Sequence, residues 1–513
     1  MNPLSFIRRA FSRRQTSRPE PAQPPIRGRY DAAQDSNEIK NLWAVVDQLD
    51  ADASNTLAIR KKLRNRSRNE RANNGHCAGV IRTHANYIVG TGPKLRLQTR
   101  SVPFNQMVEA AWGRWCESTG FMRKLRTMCR AKTGDGEAFA LLVGNPNIEH
   151  KVKLDVCLVE CDQVSAPVGV SQTERYVDGI HFDEYGNPQF YDVLNRHPGA
   201  SWFQAGPQEF TTYAARFVCH WFGGDERPGQ HRGIPELTPS LNLFGTGRRY
   251  REAVVAAAET AADLSVMIQM GTTNEGNDEA APFTSLPIEK RTMTVTPAGA
   301  TASQMKAEQP ATTYDAFNRN MICEEARPLN MPYNIAACDS SGYSYSGGQL
   351  DHLTYFVSVD VERQDCESAV LNRVFAVWFN EARAAYGWGV LASPSPRHSW
   401  NWPAKPQTDP VKTASARKTN LSDGTTTLGR IYAEDGLDFE DEVVAMAHEY
   451  GVTVEEMRVK LLDSNMQKSG GGGAAPPDGK DEPDADETIP PTKAHSRFTV
   501  PSNGNGHIHG VLT

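Results

Sequence analysis

The chain has 513 residues, 39% hydrophobic and 23% charged, which fits a folded protein of two to four domains carrying some low-complexity sequence. Its formal net charge is −6, with 55 Lys and Arg against 61 Asp and Glu, and this excludes a static, basic wrapper of nucleic acid. No run of 18 apolar residues predicts a membrane span, and nine scattered cysteines without zinc spacing read as unpaired thiols rather than a disulfide framework.

The N-terminus, MNPLSFIRRAFSRRQTSR, lacks the apolar core of a secretory signal and reads as a disordered basic arm over 1–35. A helical pattern starts near Ser36 and continues to Asn74. Within it Arg60, Lys61, Lys62, Arg64, Arg66, Arg68 and Arg71 cluster. Such a face can meet a phosphate backbone or an acidic neighbouring subunit, and its plainer reading is a solvated surface. A helix ending at Gly90–Gly92, a strand, and a helix over Phe104–Glu117 follow. From Gly134 the period changes to that of strands, with a hairpin turn at Asp183-Glu-Tyr-Gly-Asn-Pro, so this block reads as α+β.

Next comes His231–Met270. Thr238-Pro239 offers an N-cap with proline in the first turn, and Tyr250, Val254, Ala258, Ala261, Leu264 and Ile268 fall in steps of three and four. This predicts a helix of about 30 residues, roughly 45 Å long, with Gly245 and Gly247 permitting a bend. A Gly/Pro/Thr-rich, strand-containing excursion leads to a second helix near Thr313–Arg327, then an extended loop through NMPYNIAACDSSGYSYSGG. A very long helix over Gln349–Tyr386 places Leu350, Leu353, Val357, Val361, Leu371, Val374 and Trp378 on one face. Two or three shorter helices and a low-complexity tail complete the chain.

Catalytic signatures are missing: the chain has no GxxxxGK[ST] loop, no strand–GxGxxG–helix unit, no GxSxG elbow and no HExxH. Asp135 and Glu137, with a histidine such as His220, are the residual candidates for a cryptic hydrolase, although GDGE reads first as turn chemistry. His507 and His509 sit in the tail and read as incidental. No catalytic residue, metal ligand or cofactor is assigned. Three long helices without a catalytic constellation point to an architectural protein.

Five stretches carry a resemblance. They are RNRSRNERANNGHCAGVIRTHANYIVGTGPKL, GDGEAF, RPGQHRGIPELTPSLN, LNMPYNIAACDSSGYSYSGGQL and DPVKTASARKTNLSDGTTTLGRIYAEDGLDFEDEVVAMAHE. In these, in the same order, the chain resembles tailed-bacteriophage portal proteins of the lambda-like family. The resemblance implies a predominantly helical α+β portal fold with wing, stem, clip and crown, assembling into a ring, typically of twelve subunits, with a central channel. It implies a wing over 36–235, stem helix 1 over 236–270, clip over 271–312 and stem helix 2 over 313–329. A tunnel loop over 330–348, a long helix returning to the wing over 349–400, a crown over 401–462 and a disordered tail over 463–513 would follow.

The implied function is a DNA channel at one capsid vertex, serving packaging, head–tail joining and ejection. Another virion ring protein, such as a connector or baseplate component, is the alternative. The implied partners are further copies of the chain, double-stranded DNA in transit, the terminase large subunit, the major capsid protein or scaffold, and a head–tail adaptor. Assembly in the host cytoplasm and residence in the virion follow. On this frame Tyr343, Ser344, Tyr345 and Ser346 are the DNA-channel candidates, and Lys290 and Arg291 the clip candidates for terminase. Arg248, Arg249 and Arg251 are stem candidates, unfavourable for the dipole at a helix start and so expected to meet carboxylates of a neighbour or DNA.

Overall fold

A computed structural model describes residues 48–167, 170, 172–200, 209–223, 226–262, 266–270, 300–304, 313–388, 396–406 and 409–466. Among the described residues the first helix, α1, spans Leu57–Asn73; the helical pattern expected from Ser36 lies outside them over 36–47, and 48–56, with turns over 51–55, are not helical. Asn74 separates it from α2 (Gly75–Ile88), its side chain accepting the His76 N–H at 3.0 Å. After β1 (Lys94–Leu97), α3 covers Val102–Thr119 and stops at Gly120, whose φ of 62° lets the chain turn directly into α4 (Phe121–Asp135). The buried positions Phe121, Leu125, Met128, Cys129 and Lys132 give α4 its inward face.

The strands then build two sheets. β2 (Glu137–Gly144) lies between β3 (Leu154–Val159) and β8 (Val218–Phe222). β4 (Tyr176–Val177), β5 (Ile180–Phe182), β6 (Pro188–Leu194) and β7 (Phe210–Ala214) form the second sheet in sequence order. The period-2 alternation of β2 decides the packing. Ala138, Ala140 and Leu142 face the helices, while Phe139 and Leu141 join Ile180, Tyr191 and Val193 in a separate core between the sheets. The expected hairpin is present between β5 and β6, its turn held by the Asp183 carboxylate, which accepts the N–H groups of Tyr185 and Asn187 at 2.8 Å each.

α5 spans Leu241–Ala262, shorter at both ends than the sequence pattern predicts. Thr238 is not an N-cap: Thr238–Ser240 form a 3-10 turn ahead of the helix. At the far end, Val266–Met270 become β9, paired antiparallel with β10 (Ala300–Gln304). Helical spacing continues formally to Ile268, but the backbone of Val266–Met270 pairs as a strand there. α6 (Tyr314–Ala326) returns beside α5, Tyr250 stacking on Tyr314 at 5.9 Å and meeting Phe317 edge-on at 5.1 Å.

The stretch between α6 and the long helix is not wholly extended, because α7 (Tyr333–Ala337) lies within it. α8 (Tyr345–Cys366) and α9 (Asn372–Tyr386) are joined by a π-turn over Glu367–Leu371, so the helix axis is continuous while its face is not. Tyr355, Val359 and Cys366 are buried in the first half and Leu371, Val374 and Trp378 in the second. Leu350, Leu353, Val357 and Val361, expected on that same face, are 66, 55, 66 and 52% exposed on the opposite side.

α9 packs on α3 through Trp112, Trp115, Phe375 and Trp378, the centre of the main core. β11 (His398–Asn401) pairs with β1 and ties the end of this layer to its beginning. α10 (Pro410–Ser422), α11 (Leu428–Glu434), α12 (Phe439–Glu449) and α13 (Val454–Met466) follow, the last two sharing a small core of Val443, Ala447 and Met457. All nine cysteines are unpaired. No helix among the described residues is long and apolar enough to cross a membrane.

Candidate functional site

The arginine-rich helix α1 has two unlike faces. Arg60, Arg64 and Arg68, four residues apart, turn inward. Arg64 lies 3.1 Å from Asp162 and 3.5 Å from Glu137, and Arg68 lies 2.9 Å from Asp135 and 2.8 Å from Asp162. Arg60 pairs with Asp178, which also takes Arg232 at 3.1 Å, and Arg232 holds Glu137 at 2.6 Å. The solvated reading of this cluster is therefore wrong for three of its seven members: these arginines rivet α1 to the sheets. Burial alone would raise the Glu137 carboxyl, but Arg232 and His220 outweigh it and hold the group well below its ordinary range. Asp135 and Glu137 are thus committed to ion pairs rather than open to a substrate, which leaves the hydrolase alternative without an accessible acid–base pair there.

Glu160, Asp162 and His197 come close enough for one ion. His197 accepts the Gly199 N–H on Nδ1 at 3.0 Å, so in its neutral form the proton sits on Nε2, which faces Glu160 at 3.4 Å. Arg68 already supplies the cation to both carboxylates.

Where α5 leaves the body, its arginines separate by role. Arg248 bridges to Glu70 of α1 at 3.0 Å. Arg251 donates to Asn318 of α6 at 2.8 Å and approaches Glu325 at 3.5 Å. The carboxylates expected from a neighbour are thus supplied by the same chain for these two. Arg249 is exposed with no ion pair among the described residues. A Cβ at Gly247 would lie 2.7 Å from Glu325 Oε1, so a larger residue there would displace that carboxylate. Burial pushes the Glu325 carboxyl up to about 7, Arg251 opposing and Glu70 adding to the rise.

A second buried cluster joins three elements. Lys132 of α4 lies 2.6 Å from both Glu236, just ahead of α5, and Glu362 of α8. His84 lies 3.9 Å from Glu236 and 3.0 Å from the Tyr355 hydroxyl. Burial and the Glu236 charge push Glu362 up to about 7, whereas Lys132 and His84 hold Glu236 below its ordinary value against burial. Two carboxylates around one ammonium thus favour retaining a single proton between them.

The loop ahead of α8 turns through Cys338 (φ 55°) and Gly342 (φ 75°). Tyr343 is half-buried with its ring 5.2 Å from the Arg319 guanidinium, while Ser344 and Ser346 are exposed. The Ser344 hydroxyl accepts the Gly347 N–H at 3.2 Å and caps α8, and Tyr345 is the first helical residue. Of the four loop candidates, Ser344, Tyr345 and Ser346 therefore belong to a helix start rather than a free loop. Lys290, Arg291, His507 and His509 lie outside the described residues. The carboxylates Glu70, Glu236, Glu325 and Glu362 escaped sequence reasoning. For Glu325 and Glu362 the signal was position on an otherwise apolar helical face; Glu70, among the arginines of α1, and Glu236, in a turn, carried none.

The family model described as phage portal protein, lambda family, matches residues 41–363. A probable portal protein of Halomonas phage phiHAP-1 is 23% identical over 419 residues, covering 74% of this chain and 78% of that one. Among solved structures, a chain in the neck of an empty gene transfer agent (GTA) particle superposes with a TM-score of 0.43 at 12% identity, over 71% of this chain and 91% of that one. An HK97 family phage portal protein from Corynebacterium diphtheriae gives a TM-score of 0.28 at 11% identity, over 61% of this chain and 89% of that one.

Proposed function

The chain belongs to the lambda family of phage portal proteins, which form the DNA channel at the capsid vertex, and from that premise we propose how its parts divide this work. Identical copies close into a ring, typically twelve in this family, that carries double-stranded DNA inward during packaging and outward at ejection. The observation that carries the ring is the exposed apolar row Leu350, Leu353, Val357 and Val361 on α8. A row of this kind on the solvent side of an otherwise well-packed helix calls for cover, and a closed ring of copies supplies it without leaving free ends. Val255 on α5 and Phe317 on α6 are likewise about half exposed, extending apolar surface onto the paired helices.

In this reading 36–235 is the wing and α5 with α6 the stem. The excursion between them, with the β9–β10 ribbon at its base, is the clip, and α10 to α13 form the crown. The segment around Tyr343, Ser344, Tyr345 and Ser346 faces DNA, offering aromatic and hydroxyl groups that touch without the grip of fixed cations; the chain's low net charge suits sliding. Lys290 and Arg291 in the clip meet the terminase large subunit, which supplies the ATPase. The capsid protein or scaffold and a head–tail adaptor are the remaining partners, and assembly takes place in the host cytoplasm.

Deleting 284–296 tests the division of labour. Heads assembled with the shortened protein should stay empty while its wing gives an unchanged unfolding transition. DNA-filled heads would remove the clip from its assigned place.

A further inference from the structure

The outward face of α1 remains unaccounted for once Arg60, Arg64 and Arg68 are assigned to the interior. Lys62 and Arg66 project from it, exposed and without an ion pair among the described residues. They line a groove of about 630 Å³ whose other wall is the first turns of α5, where Arg248 and Arg249 stand. Two interactions hold the walls together: the Arg248–Glu70 bridge at 3.0 Å, and a hydrogen bond from the Asn74 side-chain amide to the Phe244 carbonyl at 3.2 Å. Among the described residues Glu70 is the only acid in the lining, and Arg248 already neutralises it. Lys62, Arg66 and Arg249 are left as an uncompensated concentration of positive charge on a molecule whose net charge is −6.

We propose that this groove between α1 and α5 binds the phosphate backbone of duplex DNA, at a place separate from the Tyr343–Ser346 segment. The inference rests on the portal reading, which supplies duplex DNA as a partner. The lining decides between DNA and an acidic protein surface. Between the cations stand Asn65, Asn69 and Asn242, neutral groups that, with Lys and Arg, are the side chains that hold phosphate oxygens. The core of a protein interface would be aromatic and apolar and poor in lysine, and here Leu241 is the only large apolar residue among the described ones. Among the described residues the lining is phosphate-holding side chains with no element inserted to read bases, so binding is independent of sequence and sensitive to salt.

The test measures binding of the purified full-length protein to a fluorescent 30-base-pair duplex across a salt series. The triple variant Lys62→Ala, Arg66→Ala, Arg249→Ala should bind at least tenfold more weakly at low salt. The slope of log affinity against log salt should shrink by roughly 2 to 3 per engaged groove, about 0.9 for each phosphate that is no longer neutralised. The charge-preserving variant Lys62→Arg, Arg66→Lys, Arg249→Lys should match the unchanged protein, and so should Arg430→Ala, an exposed arginine elsewhere. Particle size is read on the same samples. An unchanged affinity and slope in the triple variant overturns the groove. If that variant instead loses assembly while its DNA binding stays unchanged, the groove takes an acidic protein surface and the proposal also falls. The duplex measurement decides the groove, and the presence or absence of a ring decides the portal reading, so the two fail separately.

Discussion

Lys132 Nζ lies 2.6 Å from the Glu362 carboxylate, and through this pairing the helix leading into the sheets grips the long helix that follows the loop. Glu236, at the root of α5, shares the same ammonium at 2.6 Å. One buried cation thus couples wing, stem root and long helix. Replacing Lys132 by Met leaves two carboxylates crowded together without a counter-charge, and should cost about 3–5 kcal/mol in urea unfolding. Adding Glu236→Gln and Glu362→Gln to Lys132→Met should recover most of that loss. A Lys132→Met variant as stable as the parent would show that the cluster does not bind these elements together.

Glu325 makes a pH prediction. Its folded-state value, about 7, lies above the ordinary 4.5, so the folded protein holds a proton that the unfolded chain has released between those values. By linkage, stability contributed by this group is fully present below about 4.5 and is lost as pH rises through 7. Glu362 acts in the same direction. Thermal unfolding between pH 5 and 8 should therefore flatten in Glu325→Gln, which keeps the shape and removes the titration. An identical pH profile in the variant would contradict the assignment.

On the exposed row of α8, Leu353→Asp with Val357→Asp should leave the unfolding transition of the single chain within about 0.5 kcal/mol, as surface changes do. The same pair should abolish higher-order assembly in sedimentation. Intact assembly would move the subunit interface elsewhere.

Ser344 has two roles that substitution can part. Ser344→Ala removes the cap on α8 and should cost about 1 kcal/mol. Ser344→Asp keeps a capping oxygen and adds a negative charge, so stability should hold while DNA transit, read as packaging yield, changes. Equal packaging by both variants and the parent would leave Ser344 a capping residue only.

Much of the order of elements is legible in the sequence, since helix, strand-containing excursion, helix, loop and long helix appear as periodicity and composition indicate, and α6 ends within a residue or two of its expected bounds. Other features depend on distant partners. Arg60, Arg64 and Arg68 have the same four-residue spacing as Lys62 and Arg66, and only carboxylates roughly 70 to 120 positions away decide which row is buried. The end of α5 is set by β10, some thirty residues on. The π-turn at Glu367–Leu371 breaks the regular step of 100° per residue, so residues that share one face on an ideal helix lie on opposite sides of this one. α4 went unread in the sequence, although Phe121, Leu125, Met128 and Lys132 recur at helical spacing along its inward face.

Everything proposed for the stem, the clip and the loop depends on identical copies closing into a ring around a channel. Electron microscopy of the negatively stained, purified full-length protein tests it most directly. End-on views should show closed rings with an axial hole wide enough for a DNA duplex; a field of compact single chains at every protein concentration would rule the ring out.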